Sequence, residues 1–216
     1  MSGYGSYLPV GLRMDGRRVV VLGGDAEAAT KVEKLLAAKA DTTVISGSVV
    51  PAIEERAVEG AITLVRRDYR KGDLARAFAA FVCDVRFAVP ARAEASRRGV
   101  LLNVLDRTDL CDFIATAYFV RDGLQIAVHS SGKSAALARR IREEMEKRYG
   151  EAFAELTRSL GDLRSELKQI IPSAEARHDF WLAVVNAALV TEVASGSFDS
   201  KDFKTRVMDK AKRAAK

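Results

Sequence analysis

Three stretches of this chain carry residues whose types and spacing could do chemistry. The first is Val21-Leu22-Gly23-Gly24-Asp25-Ala26-Glu27-Ala28. A glycine turn between an apolar strand and a helix aims backbone N–H groups and the positive end of a helix dipole at a phosphate. The dinucleotide fingerprint asks for glycine at its second position, so that the backbone can approach the pyrophosphate, and Asp25 stands there. A carboxylate at that point repels the phosphates unless it swings clear. The same residue also suits a plain strand-to-helix turn in which Asp25 caps the helix. The acid that usually holds the ribose at the end of the second strand is missing, and Ser46, Gly47 and Ser48 occupy its place.

The second stretch is Asn103-Val104-Leu105-Asp106, at the end of an apolar run. Open α/β sheets hold ligands at the carboxyl ends of their strands, so Asp106 is a candidate general acid or base. An aspartate that merely opens a loop reads the same way. The third is Val128-His129-Ser130-Ser131-Gly132-Lys133-Ser134. Gly-Lys-Ser suggests a phosphate-binding loop, but Ala127 stands where that motif needs its first glycine, which excludes it. A polar turn opening a helix can still receive carboxylates, with Arg139, Arg140 and Arg142 close behind; an ordinary capped helix is the plain alternative. His129 is a candidate metal ligand or proton carrier. His178, in the helical tail, carries no assignment.

These residues need a scaffold. The run Val19–Leu22 reads as a central strand buried on both faces, followed by a helix over Ala26–Ala38. Strands over Thr42–Ile45, Ile62–Val65 and Leu101–Leu105 alternate with helices over Pro51–Glu59, Asp73–Ala80 and Pro90–Arg98, the last closed by Gly99. That alternation implies an α/β fold with a parallel sheet to about Asp112. A hairpin then turns at Asp122-Gly123, and a helix covers Lys133–Arg148. Beyond Glu151 the chain reads as helical. Leu156, Leu160, Leu163, Leu167 and Ile170 form a stripe that must pack on another helix, in this chain or a second subunit. Phe180–Val193 and the basic segment Asp199–Lys216 complete the tail.

Composition narrows the partners. Among 216 residues the formal net charge is +6, which favours anionic ligands, or else marks only a solvated basic surface. The two cysteines, Cys83 and Cys111, form no CxxC pair, and Cys83 reads as a buried thiol. Met1–Arg13 lacks a leader-like apolar core, and no stretch approaches the length of a membrane span, so a cytoplasmic protein is expected. The terminal basic helix has little aromatic interleaving, and no nucleic acid is expected.

With these residues in hand, the chain resembles the precorrin-2 dehydrogenase/sirohydrochlorin ferrochelatase family of sirohaem biosynthesis. The carrying segments come in the family's order: Tyr7-Leu8-Pro9-Val10, Val21-Leu22-Gly23-Gly24 with Ala29-Thr30-Lys31-Val32, Asn103-Val104-Leu105-Asp106 with Cys111-Asp112-Phe113-Ile114, and Leu124–Val128 with Ser131-Gly132-Lys133-Ser134 and Leu137–Glu143. The resemblance implies a Rossmann-like NAD-binding domain (1–112), a dimerisation segment (113–149) and an α-helical C-terminal domain (150–216). It implies NAD-dependent oxidation of precorrin-2 to sirohydrochlorin, with iron insertion in some members, and a homodimer. The family's catalytic aspartate falls on Asp106. Its nucleotide contacts fall on Gly23, Gly24, Asp25, Ala26, Glu27, Gly47 and Ser48, and its modified serine on Ser130. Ser130, Ser131, Gly132, Lys133 and Ser134 are the expected substrate-binding turn, and His129 the candidate metal contact. Asp25 departs from the family's third loop glycine, Cys83–Ala88 departs from its acidic, Asn-bearing segment, and Ala135 replaces its proline. A chelatase without the redox step, and a tetrapyrrole- or nucleotide-binding protein without turnover, are the rival readings.

Overall fold

The computed structural model describes residues 7–214; the first six residues of the segment read as lacking a leader, and the last two of the terminal helix, lie outside them. The chain divides into two compact units, one of residues 1–115 with 131–133, the other of 116–130 with 134–216.

The first unit is built on a five-stranded parallel sheet in the order β3-β2-β1-β4-β5, with β1 (Arg18–Leu22), β2 (Asp41–Ile45), β3 (Thr63–Val65), β4 (Ala79–Val82) and β5 (Leu101–Val104). Helices α1 (Ala26–Ala37), α2 (Pro51–Val58) and α3 (Ala88–Arg98) connect them. Side chains alternate between two cores because successive residues of a strand point to opposite faces. Val19 and Val21 join Ala28, Val32 and Leu35 of α1 on one face. Val20 and Leu22 join Ala91 and Ala95 of α3 on the other. Every residue of Val19–Leu22 is fully buried, as a doubly covered parallel strand requires. The result is a Rossmann-like α/β fold.

The helix expected over Asp73–Ala80 does not form. Residues 71–76 are turns and Ala79–Val82 is a strand. Gly72 (φ 110°) and Arg76 (φ 61°) adopt left-handed conformations that no α-helix can pass through. Arg18 holds the turn by donating to the carbonyls of Ala75 and Asp73. An apolar run entering a sheet outweighs the helical propensity of its alanines.

The second unit contains the hairpin β6 (Ala117–Arg121) and β7 (Leu124–Val128), then α4 (Ala135–Arg148), α5 (Glu151–Ile170), α6 (Ala174–Val184), α7 (Ala187–Ala194) and α8 (Ser200–Ala214). Asp122 (φ 42°) and Gly123 (φ 91°) make the tight turn expected of Asp-Gly. The leucine stripe of α5 packs within this chain: Leu156, Leu163 and Leu167 share a core with Phe180, Leu189, Phe203 and Val207. The single helix expected over Phe180–Val193 is two, because Asn186 leaves helical geometry (φ −108°, ψ 177°) and caps α7 by accepting from Leu189 N–H.

Candidate nucleotide site

All five strands of the sheet are parallel, so their carboxyl ends share one edge, and the order reverses between β1 and β4. Ligands of open α/β sheets bind in the crevice at such a reversal. A cleft of about 550 Å³ opens there, entirely within the first unit. Its floor is the glycine turn after β1. Gly23 (φ 127°) takes a conformation closed to other residues, and a Cβ on it would meet Asp84 N at 3.0 Å. A Cβ on Gly24 would meet the carbonyl oxygen of Ser48 at 2.0 Å. The turn therefore closes onto the exit loop of β2, and Gly24 O accepts from Val50 N–H at 2.8 Å. Only glycine permits that approach, and the same nakedness lets a pyrophosphate approach the backbone.

Asp25 is the helix cap that the sequence allowed. Its backbone is ordinary (φ −85°, ψ −174°), and its carboxylate accepts from Ala28 N–H at 2.8 Å as the N-cap of α1. It therefore occupies one of the N–H groups at the helix start and sets a negative charge where a phosphate would sit. Ala29 N–H is taken by the carbonyl of Asp25, whereas helix geometry provides no partner inside α1 for the N–H groups of Ala26 and Glu27.

The structure thus brings Gly23, Gly24, Asp25, Gly47 and Ser48 together on one cleft. Ala26 and Glu27 lie on the exposed first turn of α1 and do not line it. The cleft also holds Asp68, which the sequence did not single out, and Asp84 and Arg86, which belong to the segment Cys83–Ala88 that departs from the family's pattern. Arg86 pairs with Asp84 at 2.6 Å, and this hydrogen bond holds the Asp84 carboxyl below the usual range. Their positions were implicit in the chain: charged residues directly after the third and fourth apolar runs must stand at the same sheet edge as the glycine turn. Cys83, beneath them, is buried as expected, and desolvation pushes its thiol up to about 12. It is an inert core group there.

Asp106 follows β5 in a left-handed conformation (φ 56°), exposed at the sheet's carboxyl edge but not in the lining of the cleft. That conformation costs a non-glycine residue roughly 1–2 kcal/mol, least for Asp and Asn. The surrounding loop bears the strain. Cys111 Sγ accepts from Val104 N–H at 3.1 Å, Asp112 Oδ2 accepts from Leu102 N–H at 2.9 Å, and Arg92 pairs with Asp112 at 2.8 Å. Asn103 donates to the carbonyl of Phe113 at 3.0 Å.

The turn before α4 is equally tied down. Ser130 Oγ donates to the carbonyl of Ser134 (2.9 Å) and accepts from Ser134 N–H (3.1 Å). Ser131 (φ 53°) and Gly132 (φ 78°) form its left-handed apex with Lys133 next to them. Ser134 caps α4 by accepting from Leu137 N–H at 3.1 Å, so the capped-helix reading holds. Arg140 and Arg142 pair with Glu143, Glu144 and Glu146, which reduces the positive field expected there. His129 is exposed beside this turn, and among the described residues no group of three or more His, Cys, Asp or Glu could hold a metal ion.

Residues 10–117 match the model of a family described as "Putative NAD(P)-binding". The chain belongs to this NAD(P)-binding family. Residues 121–148 match a second model, described as the sirohaem biosynthesis protein central region. The chain is 36% identical over 178 residues to a sirohaem synthase of Methylococcus capsulatus, covering 81% of this chain and 37% of that protein. It is 31% identical over 192 residues to sirohaem synthase 1 of Serratia proteamaculans, covering 88% and 40%. The chain therefore spans about two-fifths of the length of these curated relatives. Its fold matches a solved structure titled "SirC, precorrin-2 dehydrogenase" with a TM-score of 0.72 and 22% identity, covering 94% of this chain and all of that one. Among the described residues no helix is long and apolar enough to cross a membrane.

Proposed function

We propose that this chain is an NAD-dependent precorrin-2 dehydrogenase that converts precorrin-2 to sirohydrochlorin. The observation that carries the reading is the Gly23-Gly24 turn, closed onto Ser48 where no Cβ fits, at the sheet reversal of an NAD(P)-binding family member. Sirohaem synthase relatives and the match in the central region support the substrate class.

The backbone cradle fits a dinucleotide pyrophosphate: Gly24 N–H would hold it at the floor of the cleft, Gly23, whose N–H is taken by Ile45 O, would leave the turn bare for its approach, and Ser48 and Gly47 would stand beside the adenosine. NAD supplies a hydride acceptor when bound. The overall change removes two electrons and two protons from precorrin-2 as one hydride and one proton, giving sirohydrochlorin, NADH and H⁺. Asp106 is assigned the proton, or a hold on the macrocycle. Its exposed carboxylate, in a conformation fixed by Cys111 and Asp112 beneath it, suits either task. The Ser130–Ser134 turn receives substrate carboxylates through its N–H groups and Lys133. The three-part division at 112 and 149, a cytoplasmic location and a homodimer belong to the same proposal. Tyr118, Val120 and Leu137, exposed on the hairpin and on α4, support the last.

Calorimetric titration with NAD tests the cradle. Binding at micromolar concentrations is expected. Asp25 supports a second reading, in which its charge has removed the redox step and a chelatase or a binding protein remains. No binding by the wild type, with binding restored in Asp25→Gly, would favour that alternative.

A further inference from the structure

Dinucleotide sites of this architecture usually select NAD with an acid at the end of the second strand, and this chain has Ser46-Gly47-Ser48 there. The next strand exit supplies a carboxylate instead. Asp68 lies three residues beyond the end of β3, which pairs with β2 in parallel, and it lines the same cleft as Gly23 and Gly24. Its Oδ1 is 3.6 Å from where a Cβ on Gly47 would stand. Gly47 has no side chain to separate that carboxylate from the exit loop of β2.

The position of Asp68 is determined by its neighbours. Arg67 pairs with both carboxylate oxygens of Asp73, at 2.7 and 2.8 Å, and donates to the carbonyl of Asp68 at 3.0 Å. Buried Glu94 accepts from Tyr69 Oη at 2.6 Å and Gly72 N–H at 2.8 Å, holding the following residues to α3. The arginines nearby are committed. Arg66 pairs with Glu54, Arg67 with Asp73, and Arg86 stands between Asp84 (2.6 Å) and Asp68 (3.6 Å). In the cleft wall, two carboxylates therefore share one guanidinium, and the local charge is negative.

We propose that Asp68 reads the 2′ position of the adenosine ribose and selects NAD over NADP. This rests on the dinucleotide reading of the cleft. A ribose hydroxyl donates to a carboxylate, whereas a 2′-phosphate brings further negative charge against Asp68 and Asp84, and among the described residues the arginine lining the cleft, Arg86, is already shared by those two carboxylates. The acid has moved from the second strand exit to the third, and Gly47 is the gap through which it acts.

The test is a pair of titrations, NAD and NADP, on the wild type and on Asp68→Asn. Asparagine keeps the size and can still accept from a ribose hydroxyl, and the site is exposed, so an unchanged melting temperature is expected. The wild type should bind NAD at least about tenfold more tightly than NADP, and Asp68→Asn should narrow that ratio to within about threefold, chiefly by strengthening NADP. A ratio that the substitution leaves unchanged overturns the assignment of Asp68, as does a wild type that binds NADP equally well. If the wild type binds neither, the dinucleotide reading itself fails, and the role of Asp68 with it.

Discussion

At the residue scale, one carboxylate both supports and opposes the site. Asp25 stabilises α1 through Ala28 N–H and competes with the phosphates for the same helix end. Asp25→Gly should strengthen NAD binding by about tenfold, since one charge near a diphosphate in a half-exposed cleft is worth on the order of 1–2 kcal/mol. It should cost only a few tenths of a kcal/mol in stability, because glycine is itself tolerated at N-caps. Calorimetry with a melting curve reads both; unchanged affinity would mean that the phosphates bind elsewhere. Asp25 as cap or as obstacle was open in the sequence because both roles demand the same residue at the same position. Glu94 was not legible at all: its helix reads as polar, and only the fold shows it 1% exposed. Burial alone would raise its pKa, but hydrogen bonds from Tyr69, Gly72 N–H and Arg98 outweigh that and hold it below the usual glutamate value. Its contribution is therefore present above about pH 4.3 and disappears as pH falls through the lower folded value. Glu94→Gln should destabilise by roughly 1–3 kcal/mol near neutrality, with the gap to wild type narrowing below about pH 4. Denaturant unfolding across pH measures this; a gap independent of pH would contradict it.

At the element scale, the site is made by strand exits. β1, β2, β3 and β4 each end on a residue group that lines the cleft, because each connection between parallel strands returns the chain to the same edge. β1, β2, β3 and β5 were legible as short runs of β-branched and apolar residues. β4 was partly lost to its alanines, which read as the end of a helix, and Asp84 and Arg86 were placed after the fourth strand only by the family resemblance. The junction of β1 and β2 depends on Gly24. Gly24→Ala places a methyl within 2.0 Å of Ser48 O, so one loop must move. A loss of roughly 1–3 kcal/mol is expected, together with weaker NAD binding. A variant with wild-type stability and affinity would show that the turn does not need its close approach.

At the scale of the whole molecule, two cores on the faces of the sheet hold the first compact unit and a third holds the second, and the cleft belongs wholly to the first unit. The helical unit was legible as a leucine stripe, but its partner was not, because a stripe does not say which helix it faces. The fold gives the answer in α7 and α8 of the same chain. Leu163 is 2% exposed in that core, so Leu163→Ala should cost about 2–5 kcal/mol. NAD affinity, measured below the unfolding transition, should be unchanged. A parallel loss of affinity would tie the nucleotide site to the helical core.

The central claim is oxidation of precorrin-2 with NAD, assisted by Asp106. The most direct measurement is NADH formation when precorrin-2 and NAD are supplied anaerobically to the wild type and to Asp106→Asn, a substitution that keeps the left-handed conformation. One NADH per sirohydrochlorin from the wild type, with a rate at least about a hundredfold lower in the variant, is the predicted result. NAD binding without NADH formation in the wild type, or full activity in Asp106→Asn, would contradict it.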